Sequence, residues 1–197
     1  PPGAQLGELT VTLCELAISL RDLAISFGEL VLAVVAALKA REVLAAEVQL
    51  QGGKEVADII KAVKDSGIPV MGHLGLLPQT AEKYSVQAKK SEDAVRLIED
   101  AKILEQSGVF SIVLEMVTND VTKIITKDVK VPTIGIGSGK DCDGQVLVIH
   151  DMLGMFEKIK PKFAKRYLNL SEEIRNAVSS YVKDVKEEQF PGEEHTF

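Results

Sequence analysis

The feature that most constrains the fold of this 197-residue chain is an alternation of short β-branched runs with amphipathic segments from residue 47 onward. This order is typical of parallel strands joined by crossover helices. The pattern predicts five strands, at 47–50, 68–75, 109–116, 131–137 and 145–151. Helices are predicted between them at 54–66, 91–107 and 119–127, and further helices within 161–188. The sequence therefore belongs to the α/β class.

Residues 1–46 differ in character from residues 47–197, and we treat them as a separate segment. They contain only three basic residues, and leucines recur every seven residues at positions 9, 16, 23 and 30. This period predicts an amphipathic helix, which packs on its own domain or drives oligomerisation. The apolar run at 30–38 is shorter than the roughly 18 to 20 residues that cross a bilayer, so we expect no membrane association. The acidic residues within the segment also argue against a secretory signal.

Charge and cysteine usage restrict the partners of this chain. Its formal charge of −6 and pI near 5.2 argue against nucleic acid as a partner, because phosphate binding needs a basic surface. Cys14 and Cys142 form no CxxC motif, so the sequence predicts neither a disulfide framework nor a zinc ribbon. We expect a cytoplasmic protein that binds a small molecule or another protein.

Side chains at the carboxyl ends of parallel strands converge on one rim, where such folds place their chemistry. The candidates by position are Gln51, His73, Glu115, Ser138, Lys140, Asp141, His150 and Asp151. Glu115 follows an apolar run, where burial would raise its pKa toward that of a general base, although a salt-bridged rim residue would fit the same position. His73 has small neighbours and could approach a ligand, or could serve as a structural hydrogen-bonding group.

The segment GIGSGKD at 135–141 is the most glycine-rich part of the chain. Its backbone amides and Lys140 could bind an anion, but its spacing matches no nucleotide-binding motif, and a tight turn is the simpler explanation of the glycines. The sequence contains no HxxxH or HExxH pair, so zinc is not expected.

Residues 47–197 strongly resemble ketopantoate hydroxymethyltransferase, also called 3-methyl-2-oxobutanoate hydroxymethyltransferase. The resemblance rests on IPVMGHLGLLPQ (68–79), VLEMV (113–117), PTIGIGSGKDCDGQVLVIHDMLG (132–154), KPKFAKRY (160–167) and FPGEEHTF (190–197). It implies a (β/α)8 TIM-type barrel that assembles as a homo-decamer. It also implies transfer of a hydroxymethyl group from 5,10-methylenetetrahydrofolate to 3-methyl-2-oxobutanoate, with Mg²⁺ as cofactor.

The resemblance assigns roles to individual residues of this sequence. Glu115 matches the glutamate that removes the C3 proton of the keto acid, and His73 matches a histidine near the substrate. Gln49 and Gln51 stand in QLQGG, where the family has KLEGG. Gln49 thus takes a substrate-binding position, and Gln51 takes a metal-binding position as a weaker ligand than a carboxylate. The aspartate motifs that complete the metal site in the family are not readable in this sequence.

Residues 1–46 are too few for the three βα units that precede this motif in the family, since each unit takes roughly 30 residues. We therefore expect a TIM-type barrel whose N-terminal βα units are missing, replaced or unreadable here. A non-catalytic relative that acts as an oligomerising structural or interaction protein is the main alternative. A different Mg²⁺-dependent barrel that acts on an α-keto acid is a third possibility.

Overall fold

A computed structural model describes residues 48–78, 81 and 83–197 of the chain. The chain divides into two compact units, the first ending at Gly144 and the second comprising Gln145–Phe197. The sequence does not predict this boundary. The predicted helix with a seven-residue period lies outside the described residues, as does the predicted segment 1–46.

Four parallel strands form the centre of the first unit, in the order in which they occur along the chain. They are β1 (Val48–Gln51), β2 (Val70–Gly75), β3 (Ser111–Glu115) and β4 (Thr133–Ile136). A two-residue strand, β5 (Gly144–Gln145), follows β4 in the sheet order. The first four predicted strands are therefore confirmed, with ends that differ by at most two residues.

A helical segment connects each pair of neighbouring strands from β1 to β4. A 3-10 turn at Lys54–Val56 leads into α1 (Ala57–Asp65), α2 is Ser91–Ser107, and α3 is Asn119–Asp128. Helix α2 ends where Gly108 adopts a left-handed conformation with φ of 94° and donates its N–H to the Leu104 and Glu105 carbonyls. The predicted α/β class is confirmed, and closure into an eight-stranded barrel stays a prediction.

The hydrophobic core lies between one face of this sheet and the helices. Alternate strand residues supply one side of the core, namely Leu50, Val70, Leu74, Ile112 and Leu114. The helices supply the other side, with Ile60, Val63, Leu104 and Ile125 fully buried. Because successive strand side chains point to opposite faces, the residues between these apolar positions lie on the second face of the sheet.

The second unit consists mainly of helix and irregular structure. It contains α4 (Ile149–Met152), α5 (Leu170–Lys186) and a 3-10 turn at Glu193–His195. The predicted strand at 145–151 is wrong beyond its first residue, because β5 ends at Gln145 and residues 149–152 are helical. Val146 and Val148 are each half exposed, so this apolar run does not become a buried strand. None of the helices described is long and apolar enough to cross a membrane.

Candidate active site

The face of the sheet opposite the helices carries the polar side chains of the first three strands. We call it the polar face and define it by Gln49, Gln51, Met71, His73, Ser111, Val113 and Glu115. Strand register places these residues side by side, with Gln51 opposite His73, His73 opposite Val113, and Met71 opposite Ser111. Val113 shows that the two faces of the sheet are distinct, because it is buried yet does not belong to the core beneath the helices.

Glu115 occupies the last position of β3, at the carboxyl edge of the polar face. Its side chain is 13% exposed. Burial raises the pKa of the Glu115 carboxyl group above its ordinary value. A carboxylate in this environment is a stronger base than one in water, which agrees with the role that the sequence predicts for it.

His73 lies on β2 next to this carboxylate. Its Nε2 atom is 3.1 Å from Glu115 Oε2, a distance that permits a hydrogen bond, although the ring is not aligned for one. Burial lowers the pKa of the His73 imidazole below its ordinary value, and a hydrogen bond with the Leu76 backbone opposes part of that shift. Burial therefore favours the neutral form of His73, in which its contact with Glu115 is not an ion pair.

Gly75 explains how these two side chains meet. It lies opposite Glu115 in the register of β2 and β3, and it has no side chain to separate Glu115 from His73, two residues earlier on the same strand. Its φ of 96° is a conformation that favours glycine, and a Cβ atom there would lie 2.2 Å from the Glu115 carbonyl oxygen. Gly75 thus permits both the turn of the chain after β2 and the contact between the His73 and Glu115 side chains.

Unsatisfied polar atoms concentrate on the polar face. In the described part of the chain, four buried side-chain polar atoms have no hydrogen-bond partner, and three of them are Gln51 Oε1, His73 Nε2 and Ser111 Oγ. Burial of such atoms costs free energy unless a ligand or water binds them, so their clustering indicates a binding site. Sequence reasoning missed Ser111. Its spacing of two and four residues from Val113 and Glu115 was the available signal.

The donors on the polar face meet only part of what magnesium requires. Gln51 Oε1 is a buried oxygen without a partner, and oxygen is the ligand type that Mg²⁺ prefers. However, the described residues contain no group of three or more His, Cys, Asp or Glu side chains that could hold a metal ion. Gln51 therefore fits one position of a coordination sphere whose remaining ligands these residues do not supply.

Ser138 has a structural position. It is fully buried, its hydroxyl donates to the Leu114 carbonyl at 2.6 Å, and it accepts the Val117 N–H at 3.0 Å. The hydroxyl thereby joins the loop after β4 to the end of β3. Ser138 is close to Glu115 in the fold without belonging to the polar face.

The loop that contains Ser138 also carries Lys140 and Asp141. Lys140 is exposed and Asp141 is partly buried. Gly137 and Gly139 have positive φ values of 67° and 81°, which confirms a tight turn. Anion binding by this loop stays a prediction.

His150 and Asp151 belong to the second unit, where both lie on the short helix α4. The prediction that they follow the end of a strand is wrong, because the strand predicted there is not formed beyond Gln145. His150 is exposed.

The fold and the site together define an α/β protein with a carboxylate and a neutral imidazole in contact at the carboxyl edge of a parallel sheet. The sequence model of the ketopantoate hydroxymethyltransferase family matches residues 26–193, so the chain belongs to that family. This match begins within the segment 1–46 that composition separates from the rest.

Individual relatives agree with this assignment. The chain is 56% identical over 153 residues to a 3-methyl-2-oxobutanoate hydroxymethyltransferase of Nitrosopumilus maritimus, covering 76% of this chain and 55% of that protein. It is 55% identical to the enzyme of Cenarchaeum symbiosum, over 76% of this chain and 58% of the relative. A Clostridium botulinum relative is 52% identical, over 80% of this chain and 58% of its own length. The chain thus spans little more than half the length of these relatives.

Among solved structures, a dihydrodipicolinate synthase of Agrobacterium tumefaciens is similar to this chain. The TM-score is 0.40 at 16% sequence identity, and the likeness covers 61% of this chain and 42% of the other. A likeness of this size is too weak to bear on either fold or activity.

Proposed function

We propose that this chain carries the carbon-acid chemistry of a ketopantoate hydroxymethyltransferase, with Glu115 as the general base. The contact of Glu115 with His73 on the polar face supports this proposal most directly. In the proposed reaction, the Glu115 carboxylate takes the proton from C3 of 3-methyl-2-oxobutanoate, and the electron pair of the broken C–H bond forms the enolate. Water breaks the two C–N bonds of the methylene group of 5,10-methylenetetrahydrofolate, which releases tetrahydrofolate and leaves a one-carbon unit at the level of formaldehyde. The enolate carbon then bonds to that carbon as its C=O π bond opens, and the oxygen takes up a proton to give the hydroxymethyl group of ketopantoate.

Four other side chains of the polar face have tasks in this proposal. His73 lies against one oxygen of Glu115 and leaves the other for the substrate proton. Gln49 keeps its predicted substrate-binding position, and Ser111 adds a buried hydroxyl without a partner. Mg²⁺ belongs to the proposal through the family, with Gln51 as the described residue that would face it. When bound, it would polarise the keto and carboxylate oxygens of the substrate.

We keep the cytoplasm as the expected location of the protein.

Exchange of the C3 proton of 3-methyl-2-oxobutanoate for solvent deuterium tests the proposal. Proton NMR of the full chain with Mg²⁺ and the keto acid should show loss of the C3 signal, without any folate. Glu115→Gln should lower the exchange rate by about 10²- to 10⁴-fold, the contribution of a positioned general base. Glu99→Gln, at an exposed glutamate on α2, is the matched control and should exchange at the wild-type rate.

Binding separates the enzyme from the non-catalytic alternative. Isothermal titration of the full chain with Mg²⁺ and the keto acid should give a heat of binding if the polar face is an active site. A folded protein that neither binds the keto acid nor exchanges its C3 proton would contradict the proposed function and would favour a structural or interaction role.

A further inference from the structure

We propose that Gln49 is a positioning residue that fixes the tautomer of His73. In this proposal, its side-chain amide holds the imidazole proton on Nε2, the ring nitrogen that lies beside Glu115. The inference extends the proposed function by assigning the support of the general base to a residue of this chain. Gln49 stands where the resemblance places a lysine, so the arrangement concerns this sequence in particular.

The hydrogen-bonding capacity of the two groups carries the argument. Gln49 Nε2 lies 2.8 Å from His73 Nδ1. With its nitrogen toward the ring, the Gln49 amide donates this hydrogen bond, because an amide nitrogen does not accept, and Nδ1 is the acceptor. A neutral imidazole that accepts at Nδ1 carries its proton at Nε2. That proton is then on the nitrogen 3.1 Å from Glu115 Oε2.

Burial makes this choice of tautomer matter. His73 is only 5% exposed, so its two ring nitrogens depend on the few groups around them, namely Gln49, Glu115 and the Leu76 backbone. With the proton on Nε2, the ring can donate to the Glu115 carboxylate. With the proton on Nδ1, a nitrogen lone pair would face a carboxylate oxygen, which would repel it. The hydrogen bond from Nε2 is not aligned in this structure, as is common for catalytic groups before substrate binds.

Strand pairing explains why Gln49 reaches the ring. Gln49 is opposite Met71 in the register of β1 and β2, and His73 is two residues further along β2 on the same face. Such diagonal neighbours are within reach of long side chains. Gln51 lies directly opposite His73 yet forms no hydrogen bond with it through its buried Oε1 atom. It therefore provides a matched control on the same strand and the same face.

Nitrogen NMR of histidine-labelled protein tests the tautomer independently of activity. The chain has only three histidines, and both His150 and His195 are exposed. The His73 signals are identified by their loss in His73→Asn. We expect the wild-type ring to show protonated Nε2 and unprotonated Nδ1. Gln51→Met should leave this pattern in place, whereas Gln49→Met, which removes the donor, should not.

Gln49→Glu gives the sharper result, because a carboxylate accepts hydrogen bonds. It should place a proton on Nδ1 of His73. A wild-type ring that carries its proton on Nδ1, or a pattern unchanged in both Gln49 variants, would overturn the proposal. Since Gln49 is exposed on one side of the sheet, its replacement is not expected to prevent folding, and circular dichroism checks this.

The exchange reaction links the tautomer to catalysis. Gln49→Met should lower the maximal rate of C3 proton exchange by about 10-fold, part of the roughly 10²- to 10⁴-fold that a positioned base supplies, with little change in KM. A loss confined to KM would show that Gln49 acts only in substrate binding and would overturn the positioning role. If the wild-type chain shows the expected tautomer but no exchange, the proposed function fails while the role of Gln49 in holding His73 stands.

Discussion

At the scale of single residues, burial determines what Glu115 and His73 can do. Both side chains lie on the polar face, and burial disfavours the charged form of each. It raises the pKa of Glu115 and lowers the pKa of His73. The outcome is a strengthened base beside a neutral imidazole, with Gln49 on the other ring nitrogen. Burial alone accounts for the direction of both pKa shifts, without a charged residue on the described strands.

The raised pKa of Glu115 predicts the pH dependence of proton exchange. A base acts in its deprotonated form, so the exchange rate should fall as pH drops through the Glu115 pKa. Because burial raises this pKa above the ordinary 4.5, the midpoint of the acid limb should lie above pH 4.5. Exchange rates measured by NMR across the acid range check this, and a midpoint at or below 4.5 would contradict a desolvated base.

The same pKa shift predicts how stability changes with pH. A group whose pKa is raised in the folded protein stabilises it fully below the unfolded value, and this contribution is lost as pH rises through the folded pKa. His73, whose pKa is lowered, contributes above 6.5 and loses that contribution as pH falls through its folded pKa. Glu115→Gln removes only the first effect.

We therefore expect the free energy of unfolding of Glu115→Gln, relative to wild type, to increase from about pH 4 to about pH 7. Urea denaturation at both pH values measures the difference. The exposed Glu99→Gln variant should show no such trend. A difference that is constant with pH would mean that burial does not disfavour the Glu115 charge.

At the scale of elements, the ends of β2 and β3 are held together by close backbone contact. Leu76 donates its N–H to the Glu115 carbonyl at 2.8 Å, and Gly75 lies against the same oxygen. The Ser138 hydroxyl joins Leu114 to Val117 from the other side. These contacts fix the strand end from which Glu115 projects.

A pair of glycine substitutions tests this packing. Gly67 and Gly75 both have positive φ, at 82° and 96°, but a Cβ at Gly67 meets nothing within 4 Å. Gly67→Ala should cost about 1–2 kcal/mol for the left-handed conformation alone. Gly75→Ala should cost about 1–3 kcal/mol more, because its Cβ would collide with the Glu115 carbonyl oxygen. Equal losses in urea denaturation would show that the strand ends can separate without penalty.

Elements with a strong local pattern were the ones that the sequence predicted well. Helix α2 is predicted with its observed bounds because Glu92 and Asp93 place negative charge in its first turn and Gly108 provides a left-handed end. The strand predicted at 145–151 failed because a short apolar run has no period that separates strand from helix. Burial of this run would favour a strand, but Val146 and Val148 are half exposed in the structure.

At the scale of the whole molecule, the predicted homo-oligomer awaits a test. The resemblance predicts a decamer. Within the second unit, α5 has apolar side chains with 41–55% exposure at helical spacing, namely Ile174, Val178, Tyr181, Val182 and Val185. An exposed apolar stripe on one helix face is typical of a surface that contacts another protein.

Light scattering of the purified chain should give the mass of ten 21.3 kDa copies. A charge in the middle of the stripe, as in Val178→Lys, should reduce this mass because burial of an unpaired charge is costly. Ser179→Lys, one residue further on the exposed helix, is the control and should leave the assembly intact. A wild-type mass of one chain would contradict the predicted oligomer.

The sequence by itself determined the α/β class, the first four strands and the presence of Glu115 and His73 near one edge, because alternation of apolar residues and glycine punctuation act locally. The tertiary structure decided which side chains meet. Ser111 joined the polar face, Ser138 became a structural link, and Gln49 became the partner of His73, since strand register and burial depend on residues far apart in the chain. A pattern within one strand specifies a face, whereas a contact between strands depends on how they are paired.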